Sequence, residues 1–244
     1  MALLECQEVT KNFGGLMAVT NVSLQLEKGE IVGLIGANGA GKTTLFNLIS
    51  GFYPPTNGSI RFEGDEIAGL KTHDICRKGL VRTFQLVRPF HNMTVWDNVM
   101  VGALFGVQKC KNVSRAKEEA MKVLEFTGLH EKKEIPAKEL TIADRKRLEV
   151  ARSLATKPKL LLLDEVLAGL TSTETTEAMK LVRRIRDEMG LTIFMVEHVM
   201  KAVMGLSDRL IVLHNGEKIA EGNAKEVSKN PTVIEAYLGE KLHM

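Results

Sequence analysis

A glycine-rich stretch, "GANGAGKTT" from Gly36 to Thr44, constrains the fold of this chain more than any other part of the sequence. It follows the short apolar run "GEIVGLIG", which predicts a buried strand, and it opens "KTTLFNLIS", whose apolar spacing predicts a helix closed by Gly51. A strand, a tight glycine turn and a helix in this order are the context in which the pattern G-x-x-x-x-G-K-[ST] forms a phosphate-binding loop. A strand–turn–helix unit with a purely structural role is the alternative.

The chemistry expected of this loop comes from its backbone and from two side chains. Glycine lets the backbone wrap closely, so that several N–H groups point inward at phosphate oxygens, and the helix N-terminus adds the positive end of a dipole. Lys42 is expected to reach the β- and γ-phosphates of a nucleotide, and Thr43 is expected to hold Mg²⁺. The predicted nucleotide-binding residues are Gly36, Ala37, Asn38, Gly39, Ala40, Gly41, Lys42, Thr43 and Thr44.

A second stretch, "KLLLLDE" from Lys159 to Glu165, complements the loop. Four successive leucines are typical of a central parallel strand that is buried on both faces. Asp164, at the carboxyl end of that strand, is placed to act on Mg²⁺, and Glu165 beside it can polarise a water for attack on a γ-phosphate. Apolar strands often end in acids, so this prediction depends on the loop occurring in the same chain.

The bulk properties narrow the class of protein. With 244 residues and a net charge of +3, the chain is long enough for one large α/β domain, and its charge is too small to indicate a nucleic-acid partner. Its three cysteines, Cys6, Cys76 and Cys110, lack CxxC spacing and predict reduced thiols in a cytosolic protein. The start does not resemble a signal peptide, and the longest apolar run, "VMVGALFGV", is about half as long as a membrane span. We therefore expect a soluble protein that reaches a membrane only by docking.

The pattern along the chain predicts a single α/β domain over residues 1–244 with a helical insert at about 86–158. Three helices are predicted from "TVWDNVMVGALF", "SRAKEEAMKVLEFTG" and "DRKRLEVARSLATK", with a near capping box at Thr94 and a helix end at Gly128. A small hairpin region is predicted at "GFYPPTNGSIRFEGDEI", a further strand at "LTIFMVEH", and a tight hairpin at Asn215-Gly216.

Taken in order, "GANGAGKTT", "TFQ" (83–85), "LTIADRKRLEVAR", "LLLLDE" and "VEH" (196–198) resemble the ATP-binding cassette (ABC) family over essentially the whole chain. The resemblance implies an α/β P-loop NTPase fold of the ABC type, with a mostly parallel core sheet, an antiparallel β region and the helical insert. It also implies ATP hydrolysis, with ATP and Mg²⁺ as ligands. Three further stretches, "FGGLMAV", "TFQLVRPFHNMTVWDNV" and "NPTVIEAYLG", look like the ATPase subunits of branched-chain (hydrophobic) amino acid uptake systems.

The resemblance assigns roles to three more residues. Phe13 matches the aromatic ring that stacks on adenine, with a core phenylalanine as the alternative. Gln85 matches the glutamine that touches Mg²⁺ and the attacking water, and His198 matches the switch histidine that bonds the γ-phosphate; an ordinary surface glutamine and a locally satisfied histidine are the alternatives. The predicted catalytic residues are therefore Glu165, His198 and Gln85, and the predicted Mg²⁺ ligands are Thr43, Gln85 and Asp164.

One segment departs from the family, which usually reads L-S-G-G-Q where this chain has Leu140, Thr141, Ile142, Ala143 and Asp144. In the family this signature segment heads a helix and, in an ATP-bound dimer, closes over the γ-phosphate that the other subunit holds. Thr141 keeps a hydroxyl, whereas Ile142 and Ala143 hinder close approach of the backbone and Asp144 adds a carboxylate.

Two interpretations of Asp144 stay open. It could cap the helix that follows it, or its charge could repel the triphosphate, with one of the basic residues at 145–147 offsetting it. We expect the signature to act poorly on the nucleotide of the other subunit, so that a heterodimer with a partner bearing an intact signature is the working unit.

The loop after Glu165 also departs from the family, with Val166 and Thr171 where a proline and an aspartate are usual. We expect Thr171 or Ser172 to cap the next helix.

As partners, the resemblance implies a second ABC ATPase subunit in a hetero- or homodimer, integral membrane permease subunits and, indirectly, a substrate-binding protein. The chain would be cytoplasmic and peripheral on the inner face of the cell membrane. A groove beside Gln85 that includes Arg88 to Trp96 would receive the permease, unless Phe90 and Trp96 belong to the core.

Two other functions stay open: a regulatory cassette that holds ATP without turnover, and a cassette ATPase acting on nucleic acid. We expect no nucleic-acid partner, because the chain has neither a coiled-coil insert nor a second cassette.

Overall fold

The computed structural model describes residues 2–85, 88–107 and 112–239, which form two compact units. The first unit comprises the chain up to Thr72 together with the chain from Thr192 onward, and the second runs from His73 to Leu191. The predicted helical insert at about 86–158 falls within the second unit, although residues 86, 87 and 108–111 lie outside the described residues. A single domain over residues 1–244 stays a prediction.

Strands and helices are interspersed along the chain, as expected of an α/β fold, but they do not alternate strictly. The strands are β1 Leu4–Phe13, β2 Leu16–Leu26, β3 Ile31–Ile35, β4 Asn57–Phe62, β5 Asp65–Glu66, β6 Leu80–Arg82, β7 Leu160–Asp164, β8 Thr192–Val196, β9 Arg209–His214 and β10 Glu217–Gly222. The helices are α1 Lys42–Ile49, α2 Thr72–Lys78, α3 Val95–Phe105, α4 Val113–Thr127, α5 Ile142–Ala155, α6 Ser172–Met189, α7 Met200–Leu206, α8 Ala224–Lys229 and α9 Pro231–Gly239, with 3₁₀ turns at His130–Lys132 and Ala137–Glu139.

The first unit contains an antiparallel sheet in the order β2-β1-β4-β5. The predicted hairpin region after α1 supplies β4 and β5, and the two long strands β1 and β2 complete the sheet. Leu4, Cys6 and Val9 of β1 are buried, whereas Glu5 and Gln7 are not, so one face of the strand packs inward. This sheet is the antiparallel β region that the sequence predicts.

A parallel core runs through the same unit. Strand β3 pairs in parallel with β8 on one side and with β9 on the other, and every residue of β3 and β8 is buried. The last strand, β10, returns antiparallel to β9 through Asn215 and Gly216, whose φ angles of 47° and 82° form the predicted tight turn. The loop between β3 and α1 is thereby held on a rigid buried strand.

The second unit combines a short parallel pair with a helical core. Strands β6 and β7 pair in parallel, and the residues of β7 are all buried. Helices α3, α4 and α5 pack through a cluster that includes Val99, Leu124 and Leu148, each at most 1% exposed. Burying side chains of this size contributes about 1.5–3 kcal/mol each. The cluster therefore fixes the direction of α5, which carries the signature segment at its head.

Several predicted helix ends are confirmed. Thr94 accepts a hydrogen bond from the backbone N–H of Asp97 at 3.0 Å, and Gly128 ends α4 in the left-handed conformation with φ 71°. Thr171 caps α6 through a full capping box with Glu174.

The cysteines that the structure describes are free thiols. Burial raises the pKa of Cys6 to about 12, with smaller contributions from the carboxylates of Glu5 and Glu66, and burial likewise raises the pKa of Cys76. Both therefore stay protonated at neutral pH, while Cys110 lies outside the described residues. Within the described ranges, no helix combines the length and the apolar character needed to cross a bilayer.

Candidate nucleotide-binding and catalytic residues

The loop between β3 and α1 has a backbone that only glycine can form at two points. A Cβ on Gly36 would lie 2.2 Å from the carbonyl oxygen of Leu213, and a Cβ on Gly41, where φ is 99°, would lie 2.5 Å from that of Ala18. Gly39 also has a left-handed φ of 81°, but a Cβ added there would meet no other atom within 4 Å. The loop is thus pressed tightly against its own unit at both ends and open at its tip, as a phosphate cradle requires.

Lys42 lies at the first position of α1, and its ammonium turns back over the loop. Its Nζ donates to the carbonyl oxygens of Gly36 at 2.6 Å and Ala37 at 2.8 Å, and the residue is only 6% exposed. Thr43, by contrast, is exposed at the helix N-terminus. A buried ammonium above a glycine cradle, next to an exposed hydroxyl, fits a phosphate with a bound Mg²⁺.

Phe13 ends β1 and is 40% exposed, so the alternative of a core phenylalanine is wrong. The ring of Tyr53 meets it edge-on, with centroids 5.3 Å apart, and the Lys11 ammonium lies 5.2 Å from the Phe13 centroid. Lys11 is held there by a 2.8 Å hydrogen bond to the carbonyl oxygen of Pro54. A half-exposed ring fixed by its neighbours is suited to stacking on a base.

His198 follows β8 and precedes α7 in the first unit. Its side chain is exposed, whereas the preceding Glu197 is 2% exposed. The structure therefore places His198 at the surface at the carboxyl end of a fully buried parallel strand, where it can meet a ligand.

Asp164, the predicted Mg²⁺ ligand, ends β7 in the second unit and pairs with a residue that the sequence did not single out. The guanidinium of Arg82 lies 2.7 Å from Asp164 Oδ2, and the two side chains are 5% and 4% exposed. Thr83 fixes the backbone of the same strand end by accepting from the N–H of Asp164 at 3.1 Å. The carboxylate is thus oriented by a buried cation.

Gln85 and Glu165, two of the predicted catalytic residues, are brought together. Gln85 Nε2 donates to Glu165 Oε2 at 2.6 Å, although the residues are 80 positions apart. Glu165 has a φ of 52°, which is uncommon for a residue other than glycine. An amide bonded to a carboxylate in an unusual backbone conformation is the kind of arrangement found where a water must be positioned.

The signature segment has a different cap from the one that the sequence suggested. Helix α5 begins at Ile142, and its N-cap is Thr141, which accepts from the N–H of Asp144 at 3.2 Å. The interpretation of Asp144 as the cap is wrong, because Asp144 is the third helical residue. Both residue types can cap a helix and they stand three apart, so the local pattern does not distinguish them.

The carboxylate of Asp144 is occupied by two donors. Thr141 Oγ1 donates to its Oδ2 at 2.9 Å and Lys132 Nζ at 2.5 Å. Burial raises the pKa of Asp144, but the hydrogen bonds from Lys132 and Thr141 outweigh burial, so the pKa lies below its ordinary value. The neutralising residue is Lys132 rather than Arg145 or Lys146, which donate to backbone carbonyl oxygens. Arg147 adds a weaker attraction.

At the predicted permease groove, Phe90 is 47% exposed and stacks near the Arg152 guanidinium, so it is not a core residue. Trp96 is half-buried against the helical core, and its Nε1 donates to the carbonyl oxygen of Lys117 at 3.0 Å. The two aromatic residues therefore differ: Phe90 is available to a partner and Trp96 mainly supports the helices.

Family models, related sequences and solved structures all relate this chain to the ATP-binding subunits of ABC transporters. The model of the ABC transporter family matches residues 19–168, and that of the branched-chain amino acid ATP-binding cassette transporter family matches residues 217–243. The chain is 43% identical to the high-affinity branched-chain amino acid transport ATP-binding protein BraF of Pseudomonas aeruginosa and 44% identical to its counterpart LivG of Escherichia coli, with 98% of each chain covered in both cases. A crystal structure of the ADP conformation of an ATP-binding cassette of an ABC transporter superposes with a TM-score of 0.87 at 32% identity, covering 98% of this chain and 99% of that one.

Proposed function

This chain belongs to the ABC transporter family, as an ATP-binding cassette, and we propose that it hydrolyses ATP to energise the uptake of branched-chain amino acids. The observation that carries the substrate class is the identity of 43–44% to two branched-chain amino acid transport ATP-binding proteins over 98% of the chain. The hydrolytic part rests on the glycine cradle under Lys42 and on the hydrogen bond between Gln85 and Glu165.

Each predicted residue has a role in this proposal. Lys42 binds the β- and γ-phosphates, and the loop N–H groups orient them. Thr43, Gln85 and Asp164 would supply the oxygen ligands that Mg²⁺ prefers, and Mg²⁺ would neutralise charge on the phosphate oxygens. Glu165 holds the attacking water and accepts its proton, and Gln85 fixes the direction of the Glu165 carboxylate.

Phe13 and His198 act at the two ends of the nucleotide. Phe13, half-exposed and flanked by Tyr53 and Lys11, stacks on the adenine. His198, exposed after β8, donates a hydrogen bond to a γ-phosphate oxygen and helps to hold the attacking water.

The partners follow from the family. We propose a second cassette, membrane permease subunits and a substrate-binding protein, with this chain peripheral on the cytoplasmic face of the cell membrane. The exposed ring of Phe90 beside Arg152 supports a permease contact over residues 88–96.

The signature segment supports a working unit that is asymmetric. The hydroxyl proton of Thr141 is donated to Asp144, so it is committed within the helix cap rather than offered to an anion. Ile142 is 66% exposed at the helix head, where a side chain keeps an incoming phosphate away from the backbone N–H groups. We therefore propose that this chain's own nucleotide is hydrolysed efficiently only when a partner supplies an intact signature.

The proposal is tested first by the steady-state ATPase rate of the purified chain as a function of its own concentration, with Lys42→Ala as the blank. We expect a slow rate per chain that increases with concentration and vanishes in the blank. A rate that is the same in the blank would contradict hydrolysis by this loop.

The substrate class needs a separate measurement. Cells that lack the chain should lose uptake of labelled leucine, isoleucine and valine and regain it with the wild-type chain but not with Lys42→Ala. Uptake of a basic amino acid serves as the matched control and should not change. Unaltered leucine uptake in cells lacking the chain would exclude the proposed substrate class.

A further inference from the structure

Helix α5 contacts the two segments of its own unit that carry the predicted catalytic residues Gln85 and Glu165. The contacts are made by two side chains on one face of the helix. Lys146 and Glu149 stand three residues apart, which places them next to each other on the helix surface. Lys146 reaches the segment that follows β7, and Glu149 reaches the segment that follows β6. The sequence patterns singled out Lys146 only as one of three basic residues that could offset Asp144, and they did not single out Glu149.

The ammonium of Lys146 joins the two ends of the turn that begins at Glu165. Its Nζ donates to the carbonyl oxygen of Glu165 at 2.9 Å and to that of Ala168 at 2.6 Å. The N–H of Ala168 donates in turn to the carbonyl oxygen of Glu165 at 3.3 Å. The ammonium of Lys146 thus holds the carbonyl groups of the first and last residues of the four-residue turn from Glu165 to Ala168.

Glu165 is a residue whose backbone needs such support. Its φ of 52° is a left-handed conformation, which disfavours residues with a Cβ and persists where the surroundings hold it. The backbone conformation of Glu165 sets the direction of its Cα–Cβ bond, from which the carboxylate extends. The charge-assisted hydrogen bond from Lys146 to the Glu165 carbonyl oxygen therefore constrains the base from which the carboxylate extends, while Gln85 binds the carboxylate itself.

Glu149 holds the backbone next to Gln85, as Lys146 holds the backbone of Glu165. It is 3% exposed and accepts from the backbone N–H of Phe84, the residue before Gln85, at 2.7 Å. Burial raises the pKa of Glu149, against the opposing effect of the Phe84 N–H and of Arg152 and Lys146. Burying a carboxyl group costs free energy unless hydrogen bonds compensate for the lost water, and an exposed carboxyl group would not carry this cost.

The contacts form a closed ring. Gln85 donates to the Glu165 carboxylate at 2.6 Å, Glu165 is bound through its backbone to Lys146, and Glu149 of the same helix binds the residue before Gln85. We propose that Lys146 and Glu149 are positioning residues, which hold the catalytic carboxylate of Glu165 and the amide of Gln85 in their working orientation. This inference rests on the proposed ATP hydrolysis, since it concerns the same catalytic pair.

The test compares Lys146→Met and Glu149→Gln with the wild-type chain. Lys146→Met keeps most of the apolar stem and removes the ammonium, Lys146→Arg restores a cation, and Lys180→Met is the matched control, because Lys180 pairs with Glu177 on the exposed surface of α6. We expect kcat for ATP to fall about ten- to hundredfold in Lys146→Met and in Glu149→Gln, because small displacements of catalytic groups have effects of this size. KM should stay within about threefold, Lys146→Arg should recover part of kcat, and the control should not change.

Amide hydrogen exchange provides a readout that does not depend on turnover. In Lys146→Met the peptide covering 164–171 should exchange faster than in the wild-type chain, whereas peptides from β3 and α1 should be unchanged. An unchanged kcat, or a loss confined to KM, would overturn the inference. If the wild-type chain binds ATP but does not hydrolyse it even when a partner supplies an intact signature, the proposed function fails instead, and unchanged exchange over 164–171 would then overturn the positioning role by itself.

Discussion

The buried pair of Arg82 and Asp164 gives a prediction whose size can be worked out from the structure. The guanidinium lies 2.7 Å from Oδ2, and the two side chains are 5% and 4% exposed. Arg82→Met keeps an unbranched apolar stem in the same space but removes the cation. Asp164 is then left as a buried carboxylate without its ion partner.

Removing one partner of a buried ion pair costs about 3–5 kcal/mol, mostly because the remaining charge loses its compensation. The free energy of unfolding of an ordinary domain is about 5–15 kcal/mol, so this loss is a large fraction of the total stability. Asp164→Asn in the Arg82→Met background removes the stranded charge. We therefore expect the double variant to be more stable than Arg82→Met alone.

Urea denaturation at neutral pH, followed by far-UV circular dichroism, measures the effect. With a slope of about 1–3 kcal/mol per molar urea, a loss of about 3 kcal/mol lowers the midpoint by roughly 1–3 M. Arg61→Met is the matched control, because Arg61 and Glu66 are 3.8 Å apart with side chains that are each 47% exposed. Such an exposed pair is worth at most about 1 kcal/mol. Equal losses in Arg82→Met and Arg61→Met would refute the reasoning.

Three further predictions follow from the contacts described above. Replacing residues 141–144 with Ser-Gly-Gly-Gln should raise the ATPase rate of the chain alone, and no increase would contradict an impaired signature. Gln85→Ala should lower kcat for ATP with little change in nucleotide affinity, because the amide orients Glu165; a change in affinity alone would contradict this role. Hydrogen bonds from Lys157 and Lys122 lower the pKa of Glu119 to about 2, so its stabilising contribution is present above about pH 4.5 and is lost as the pH falls toward 2. Urea titrations of Glu119→Gln should therefore differ from those of the wild-type chain at pH 7, by less than about 1 kcal/mol, and converge with them at low pH.

The features that the sequence predicted well are those encoded locally. The phosphate loop between β3 and α1 needs glycine at Gly36 and Gly41 because carbonyl oxygens approach within 2.5 Å of any added Cβ, and such positions leave a clear pattern. The all-leucine strand before Asp164 and the turn at Asn215-Gly216 are likewise determined by residues that are adjacent in the chain. The predicted catalytic residues Gln85 and Glu165 also meet across 80 positions, and here the family resemblance rather than a local pattern assigned Gln85 its role.

The features that the sequence did not predict are side-chain contacts across large separations. Arg82 is 82 positions from Asp164, and Lys132 is 12 positions from Asp144, with one 3₁₀ turn, Ala137–Glu139, between them. No periodic pattern marks such pairs, because they depend on how β6, β7 and the helices pack. The interpretation of Asp144 as the cap of α5, one of two left open by the sequence, is wrong for a different reason: Thr141 and Asp144 both have the chemistry of a cap, and the choice depends on backbone geometry.

The central claim is that this chain holds a complete catalytic set and lacks only an effective signature. It can be tested with the chain itself, by making a second version that carries Ser-Gly-Gly-Gln at 141–144 together with Lys42→Ala. That version offers the signature but lacks the ammonium that binds the β- and γ-phosphates, whereas the wild-type chain has the ammonium and lacks the usual signature. The account predicts that an equimolar mixture hydrolyses ATP much faster than either protein alone at the same total concentration. A mixture no faster than the wild-type chain would contradict the account.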